Sequence, residues 1–174
     1  MGRMQKNVVR TAIIVIAAAA FSAGCQQKQA GSTGDYQDPK PAPEAALKTL
    51  DGAETQLSAL KGKPVVLEFF ATWCPTCISA ENVDDINAFY DKYGGEVAFY
   101  AIALDQQRAV VDKWAKKHNI RYPIVHSDGD KIAMAYEVTG IPHVVAINAK
   151  GEIIYTGLFL PENKAELVAR LKAQ

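Results

Sequence analysis

Short runs of apolar residues alternate along most of the chain with longer segments in which apolar residues return every third or fourth position. The near-continuous apolar run 64–70 is typical of a strand that is buried on both faces. Helical spacing of apolar residues, as in 75–93, predicts an amphipathic helix with one buried face. The pattern predicts strands at 64–70, 97–104, 122–125, 144–148 and 152–156, and helices at 75–93, 106–118, 128–136 and from Pro161 onward.

These elements follow the order β-α-β-α-β and then ββα, which predicts an α/β fold with a central mixed β-sheet and helices on both faces. Two shorter strands near 47–50 and 55–57 flank the turn Asp51-Gly52 and form a predicted N-terminal β-hairpin. The helical residues predicted to face the core are Val83, Ile86, Tyr90, Tyr93, Val110, Val111, Trp114, Ala115, Leu167, Val168 and Leu171.

Residues 1–24 have the order of segments that is typical of a secretory signal peptide. A basic segment that ends at Arg10 precedes ten consecutive apolar residues at 12–21, and small residues follow at 22–24. The alternative is an uncleaved transmembrane helix. The uncharged stretch 11–27 ends in small and polar residues, however, and spanning a bilayer takes about 20 apolar residues. We therefore expect the protein to be exported.

Ser22-Ala23-Gly24-Cys25 resembles a bacterial lipobox, in which the cysteine is diacylated and becomes the mature N-terminus. Ser22 departs from that pattern, which usually has an aliphatic residue there. The alternative is a free cysteine at the end of the signal peptide. The resemblance implies a lipoprotein that is anchored to the membrane through Cys25. By the sorting rule of such lipoproteins, Gln26 favours the outer membrane.

Gly, Ser, Pro and Gln without apolar periodicity predict a flexible tether that, together with Cys25, occupies residues 25–45. The folded domain is then expected over residues 46–174. The whole chain has 19 basic and 19 acidic residues, but three of the basic ones lie in residues 1–24. The remainder is mildly acidic and has no basic stripe, which argues against nucleic acid as a partner because phosphate binding needs one.

Cys74 and Cys77 form a C-x-x-C motif where the strand 64–70 ends and the helix 75–93 begins. At a helix N-terminus, unpaired N–H groups favour a thiolate, which is the nucleophile in disulfide exchange. Pro75 suits the first helical position because it needs no hydrogen-bond donor there. We expect Cys74 to be the exposed attacking thiol and Cys77 to resolve the mixed disulfide.

Zinc binding and a purely structural disulfide are the alternatives for this motif. A structural zinc site needs four ligands, but the domain has no third cysteine, and His118, His126 and His143 are widely spaced. A disulfide that encloses two residues constrains little chain entropy. The sequence therefore predicts no metal and no cofactor other than the redox-active disulfide Cys74–Cys77.

The strand–Trp-Cys-x-x-Cys–helix unit, with Gly140-Ile141-Pro142 about 65 residues downstream, resembles the thioredoxin superfamily. The resemblance extends over 46–173 to the membrane-tethered TlpA/ResA-type branch. It implies a thioredoxin-like fold and disulfide exchange with protein substrates that bear disulfides or thiols. Its other supporting features are Leu50-Asp51-Gly52, Leu60-Lys61-Gly62-Lys63-Pro64, a helix-containing insertion at 105–137 and Asn148-Ala149-Lys150-Gly151-Glu152.

The resemblance also implies roles for residues outside the motif. The Ile141–Pro142 bond would be cis, packed against the cysteines, and would leave the Ile141 backbone free to pair with substrate. His143 would either tune the thiolate or simply begin the next strand. Glu68 lies six residues before Cys74, where thioredoxins have a buried acid, and would take the proton from Cys77. The alternative is a solvent-facing Glu68 that is paired with Lys63.

Five residues are expected to contact substrate. Trp73 would shield the disulfide or, alternatively, pack in the core, whereas Trp114 is expected in the core. The full set of expected contacts is Trp73, Pro75, Thr76, Ile141 and His143.

The tethered branch typically reduces disulfides, for example in apocytochrome c. We expect a reductase that faces the periplasm or another extracytoplasmic space and is supplied by a membrane thiol electron donor. Pro75 at the first position between the cysteines also occurs in glutaredoxins and DsbA-type oxidants, so a disulfide-forming oxidant is one alternative. A Sco-type copper protein and a peroxiredoxin are the others, although neither the C-x-x-x-C spacing nor the P-x-x-x-T-x-x-C pattern is present.

Overall fold

The structure, a computed structural model, describes residues 1–2, 34–126 and 128–173. Cys25 and most of the predicted signal peptide lie outside these residues. None of the helices within them has the length and apolar character to cross a membrane. The elements are β1 (Gly34–Pro41), β2 (Ala46–Lys48), β3 (Glu54–Gln56), a 3₁₀ turn (Leu57–Leu60), β4 (Val65–Phe70), α1 (Ala80–Tyr93), β5 (Ala98–Ala103), α2 (Arg108–Lys117), β6 (Ile124–Val125), α3 (Gly129–Ala135), β7 (His143–Ile147), β8 (Glu152–Gly157) and α4 (Lys164–Lys172).

The main sheet has six strands in the order β1-β8-β7-β4-β5-β6. Strands β4, β5 and β6 are parallel, whereas β7, β8 and β1 join by antiparallel pairing. Strands β2 and β3 form a separate antiparallel pair. The predicted mixed sheet and N-terminal hairpin are therefore confirmed.

Strand β4 is buried along its whole length because both faces of the sheet are covered. Val66 and Phe70 belong to a core that includes residues of α1, α2 and α4. Leu67 and Phe69 belong to a second core with β2 and α3. Since side chains alternate along a strand, Glu68 lies on the same face as Val66 and Phe70. That face also holds Cys74 and Cys77.

Strand β1 corrects the predicted boundary of the tether at residue 45. It pairs with β8, and the ring of Tyr36 lies 5.3 Å from that of Tyr155. The Arg170 guanidinium lies 4.3 Å from the centroid of the Tyr36 ring. A strand at the edge of a sheet is held by backbone hydrogen bonds to one neighbour. A polar, proline-rich segment can therefore still form such a strand. The folded part therefore begins by residue 34.

Two details of the helices also differ from the pattern. Helix α4 begins at Lys164, with the Asn163 side chain accepting a hydrogen bond from the Glu166 N–H at 3.1 Å, so the predicted start at Pro161 is wrong. Val110, which the spacing predicts in the buried stripe of α2, is 44% exposed. It lies one position before the buried Val111, and consecutive residues of a helix project from different sides. Val111 and Trp114 are buried as predicted.

Candidate active site

Cys74 and Cys77 form a disulfide in the turn between β4 and α1. The Cys77 N–H is directed at Cys74 Sγ at 3.3 Å, and the Ile78 N–H donates to the Cys74 carbonyl at 3.2 Å. A backbone N–H directed at sulfur favours the thiolate. The motif therefore has a local donor that stabilises negative charge on Cys74.

The predicted start of the long helix at Pro75 is wrong, because α1 begins at Ala80. Ser79 is its N-cap, and the Ser79 hydroxyl accepts a hydrogen bond from the Asn82 N–H at 3.2 Å. Apolar spacing reports which face of a helix is buried, but the capping residue decides where the helix begins. The cysteines thus occupy a separate hydrogen-bonded turn that precedes the helix.

Cys74 is buried, at 7% exposure, and not exposed as predicted, although it is the more accessible of the two cysteines because Cys77 is only 2% exposed. The rim around it is open: Trp73 is 67% exposed, and Pro75 and Thr76 are exposed as well. The alternative that Trp73 packs in the core is therefore wrong. A nearly buried disulfide lies within a surface that another protein can reach.

The Ile141–Pro142 peptide bond is cis, as the resemblance implied. The Ile141 carbonyl oxygen lies 3.8 Å from Cys74 Sγ, so this loop packs against the disulfide. His143 begins β7, and its ring lies 6.2 Å from that of Phe69. Burial lowers the pKa of His143, so its imidazole is neutral at physiological pH.

Asp105 fixes the turn before the cysteines and was not predicted. Its carboxylate accepts hydrogen bonds from the Thr72 N–H at 2.9 Å and from the Thr72 hydroxyl. Asp105 follows β5, which is parallel to β4, so both strands end at the same edge of the sheet. An acid directly after the apolar run 97–104 was the sequence signal for this contact.

Glu68 is buried, at 2% exposure, so the alternative of a solvent-facing side chain paired with Lys63 is wrong. Its burial raises its pKa to about 8, partly opposed by a hydrogen bond from Asn82. Asn82 Nδ2 donates both to Glu68 Oε1 at 3.1 Å and to the Cys77 carbonyl at 2.9 Å. Asn82 was not predicted, although an amide next to the apolar positions of α1 was visible in the sequence.

The comparisons with known proteins agree with this geometry. A family model described as Redoxin matches residues 37–171. The chain belongs to the Redoxin family. It is 30% identical over 171 residues to thiol-disulfide oxidoreductase ResA of Geobacillus kaustophilus, and the match covers 94% of each chain.

Two solved structures also resemble this Redoxin-family protein. A thiol:disulfide interchange protein of Chlorobium tepidum TLS has a TM-score of 0.66 and 28% identity, covering 79% of this chain and all of the other. StoA of Bacillus subtilis has a TM-score of 0.62 and 25% identity, covering 75% of this chain and 98% of the other. The thioredoxin-like fold and a thiol-disulfide oxidoreductase of ResA type, with the pair Cys74–Cys77, are therefore established.

The Redoxin-family site brings together most of the predicted residues. Cys74, Cys77 and Ile141 are in direct contact, and Glu68 is joined to Cys77 through Asn82. Among residues 34–126 and 128–173, no three His, Cys, Asp or Glu side chains are placed to share a metal ion. Cys25 lies outside the described residues.

Proposed function

We propose that this protein is a reductase of disulfides in exported proteins, acting through Cys74. The observation that carries the proposal is the arrangement of the two cysteines. Cys74, the more accessible of the two, is surrounded by an exposed rim, whereas the backbone of Cys77 is joined through Asn82 to the buried acid Glu68. The resemblance to the ResA-type branch supports the direction of electron flow.

In the first step, the reduced Cys74 thiolate attacks one sulfur of a substrate disulfide. A bond forms between Cys74 Sγ and that sulfur, and the other substrate sulfur leaves as a thiolate and takes up a proton. The Cys77 N–H, which points at Cys74 Sγ, favours the attacking thiolate.

In the second step, Cys77 resolves the mixed disulfide. Its thiol gives a proton to the Glu68 carboxylate as its sulfur bonds to Cys74, and the second substrate sulfur leaves as a thiolate. A carboxyl with a pKa of about 8 is well matched to a thiol whose ordinary pKa is about 8.5. The products are a reduced substrate and the Cys74–Cys77 disulfide.

The substrate would contact the rim around Cys74. Trp73 presents a large exposed ring, and Pro75 and Thr76 lie exposed between the cysteines. The Ile141 backbone, which precedes the cis bond, is placed to pair with an extended substrate segment. His143, half-buried at the start of β7, is the remaining proposed contact.

The direction of electron flow can be measured as the redox equilibrium of Cys74–Cys77 with glutathione. We expect a potential of about −270 mV, as in thioredoxin, and Cys74-dependent reduction of insulin by the protein with a thiol donor. A potential of about −120 mV would instead identify a disulfide-forming oxidant. The cycle of a reductase also needs a thiol electron donor, which we propose to be a membrane protein.

We further propose that Cys25 is lipidated and anchors the domain on the extracytoplasmic side, with the outer membrane favoured by Gln26. The support is the order of basic, apolar and small residues before Cys25. Cells fed a fatty-acid analogue should label the wild-type protein and not the Cys25→Ser variant. A wild-type protein without label would contradict the lipoprotein assignment, whereas the Cys74→Ser variant, as a control, should label normally.

A further inference from the structure

Asn82 occupies the third helical position of α1, after the N-cap Ser79. In a capping box the side chain at this position turns back to the N–H of the N-cap residue. The Asn82 side chain points elsewhere: its Nδ2 donates to Glu68 Oε1 and to the Cys77 carbonyl. Both amide hydrogens are therefore used to join the acid to the backbone of the inner cysteine.

We propose that Asn82 is a positioning residue that holds the Glu68 carboxyl beside Cys77 during resolution of the mixed disulfide. This inference rests on the proposed role of Glu68. Asn82 is itself buried, and its own N–H is fixed by the Ser79 hydroxyl, so its side chain starts from a rigid backbone. Within the described part of the chain, no other side chain donates a hydrogen bond to Glu68, and Oε2 is left to accept the proton.

The same contact adjusts the acidity of Glu68. A hydrogen bond to the charged form of a carboxyl lowers its pKa, while burial raises it, and burial has the larger effect here. The charge of Glu68 acts in turn on Tyr122, a titratable side chain that lies just before β6. Burial raises the pKa of Tyr122, so it is neutral and leaves Asn82 as the group that favours the carboxylate.

Replacing Asn82 by alanine should therefore raise the pKa of Glu68 further. We expect the pH at which resolution is half-maximal to rise by about one pH unit, and the resolution rate at neutral pH to fall about tenfold. The first attack by Cys74 should change little. An NMR titration of the labelled Glu68 carboxyl should show the same alkaline shift.

Three further variants make this test specific. Asn87→Ala removes another buried amide of α1, whose Oδ1 accepts from the Arg121 N–H, and should leave the pH profile of resolution unchanged. Asn82→Gln retains the amide donor and should restore most of the rate, and it also serves if Asn82→Ala fails to fold. In a Glu68→Gln background, Asn82→Ala should have no further effect on the pH profile.

The outcomes separate this inference from the proposed function. If Glu68→Gln slows resolution but Asn82→Ala leaves both the pH profile and the NMR titration unchanged, the positioning role is wrong and the proposed function stands. The positioning role would also be overturned if Asn82→Ala changed the pH profile of resolution equally in the wild-type and Glu68→Gln backgrounds. If Glu68→Gln itself leaves resolution unchanged, the role of Glu68 and the inference about Asn82 both fail.

Discussion

The Cys77→Ser variant is expected to stop catalytic turnover and to accumulate a covalent complex between Cys74 and the substrate. The first attack needs only the accessible sulfur, so it proceeds, but no inner thiol remains to displace the substrate. We expect the steady-state rate to fall by a factor on the order of a thousand or more. The complex should appear as a higher band on non-reducing gels and disappear with a reducing agent.

The matched variant is Cys74→Ser, which removes the attacking sulfur and keeps Cys77. It should lose turnover equally, but it should trap little substrate, because the remaining cysteine is the more buried of the two. Cys25 is the same in both variants, so it cannot account for a difference in trapping between them. Equal trapping by the two variants would contradict the assignment of Cys74 as the attacking residue.

The Glu68→Gln variant is expected to slow resolution of the mixed disulfide about a hundredfold while leaving the first attack nearly intact. The glutamine fills the same volume and still accepts a hydrogen bond from Asn82, but it cannot take a proton from Cys77. Stopped-flow mixing of the reduced protein with a disulfide peptide separates the two steps. Equal slowing of both steps would count against proton transfer to Glu68.

The same variant should change how stability depends on pH. The pKa of Glu68 is about 8 in the folded protein, whereas an exposed glutamate has an ordinary pKa of 4.5. Between these pH values the folded state therefore binds one proton more than the unfolded state. The stability that Glu68 provides is complete below about pH 4.5 and is lost as pH rises through 8. Removing the charge should therefore make the variant relatively more stable at alkaline pH.

The expected gain on going from pH 5 to pH 9 is on the order of 4 kcal/mol in the free energy of unfolding. For a chain of this length, that corresponds to roughly 10 °C in melting temperature. At pH 5, the difference in the free energy of unfolding between Glu68→Gln and the wild type measures the cost of the substitution itself. Glu81→Gln, which changes an exposed acid in the first turn of α1, should show the same pH dependence of stability as the wild type. If the free energy of unfolding of Glu68→Gln depended on pH in the same way as that of the wild type, the ionisation of a buried Glu68 carboxyl would be contradicted.

The fold could be predicted because hydrophobic periodicity reports which faces are buried. The run 64–70 became the fully buried β4, and the hairpin 144–156 became β7 and β8. Boundaries that depend on hydrogen bonds rather than on burial were not visible. The start of α1 is decided by the Ser79 hydroxyl, and β1 is held through its backbone.

The candidate site was predictable where one residue type in one place carries the chemistry. Cys74 and Cys77 stand out by spacing, and Glu68 stands out as an acid within an apolar strand. Asn82 and Asp105 are polar residues of common types, and their importance comes from contacts with other elements of the fold. Those contacts depend on which parts of the strands and helices lie next to each other in the folded protein.

Strand β1 has a practical consequence for anyone who shortens this protein. A chain cut at residue 46 would lose the strand that pairs with β8 and leave a row of unpaired backbone groups along that side. Such a bare edge invites pairing with a second chain, whereas β1 itself carries Pro39 and Pro41, which cannot donate to a neighbour. Shortened forms should therefore keep residues 34–41 if they are to stay apart from one another.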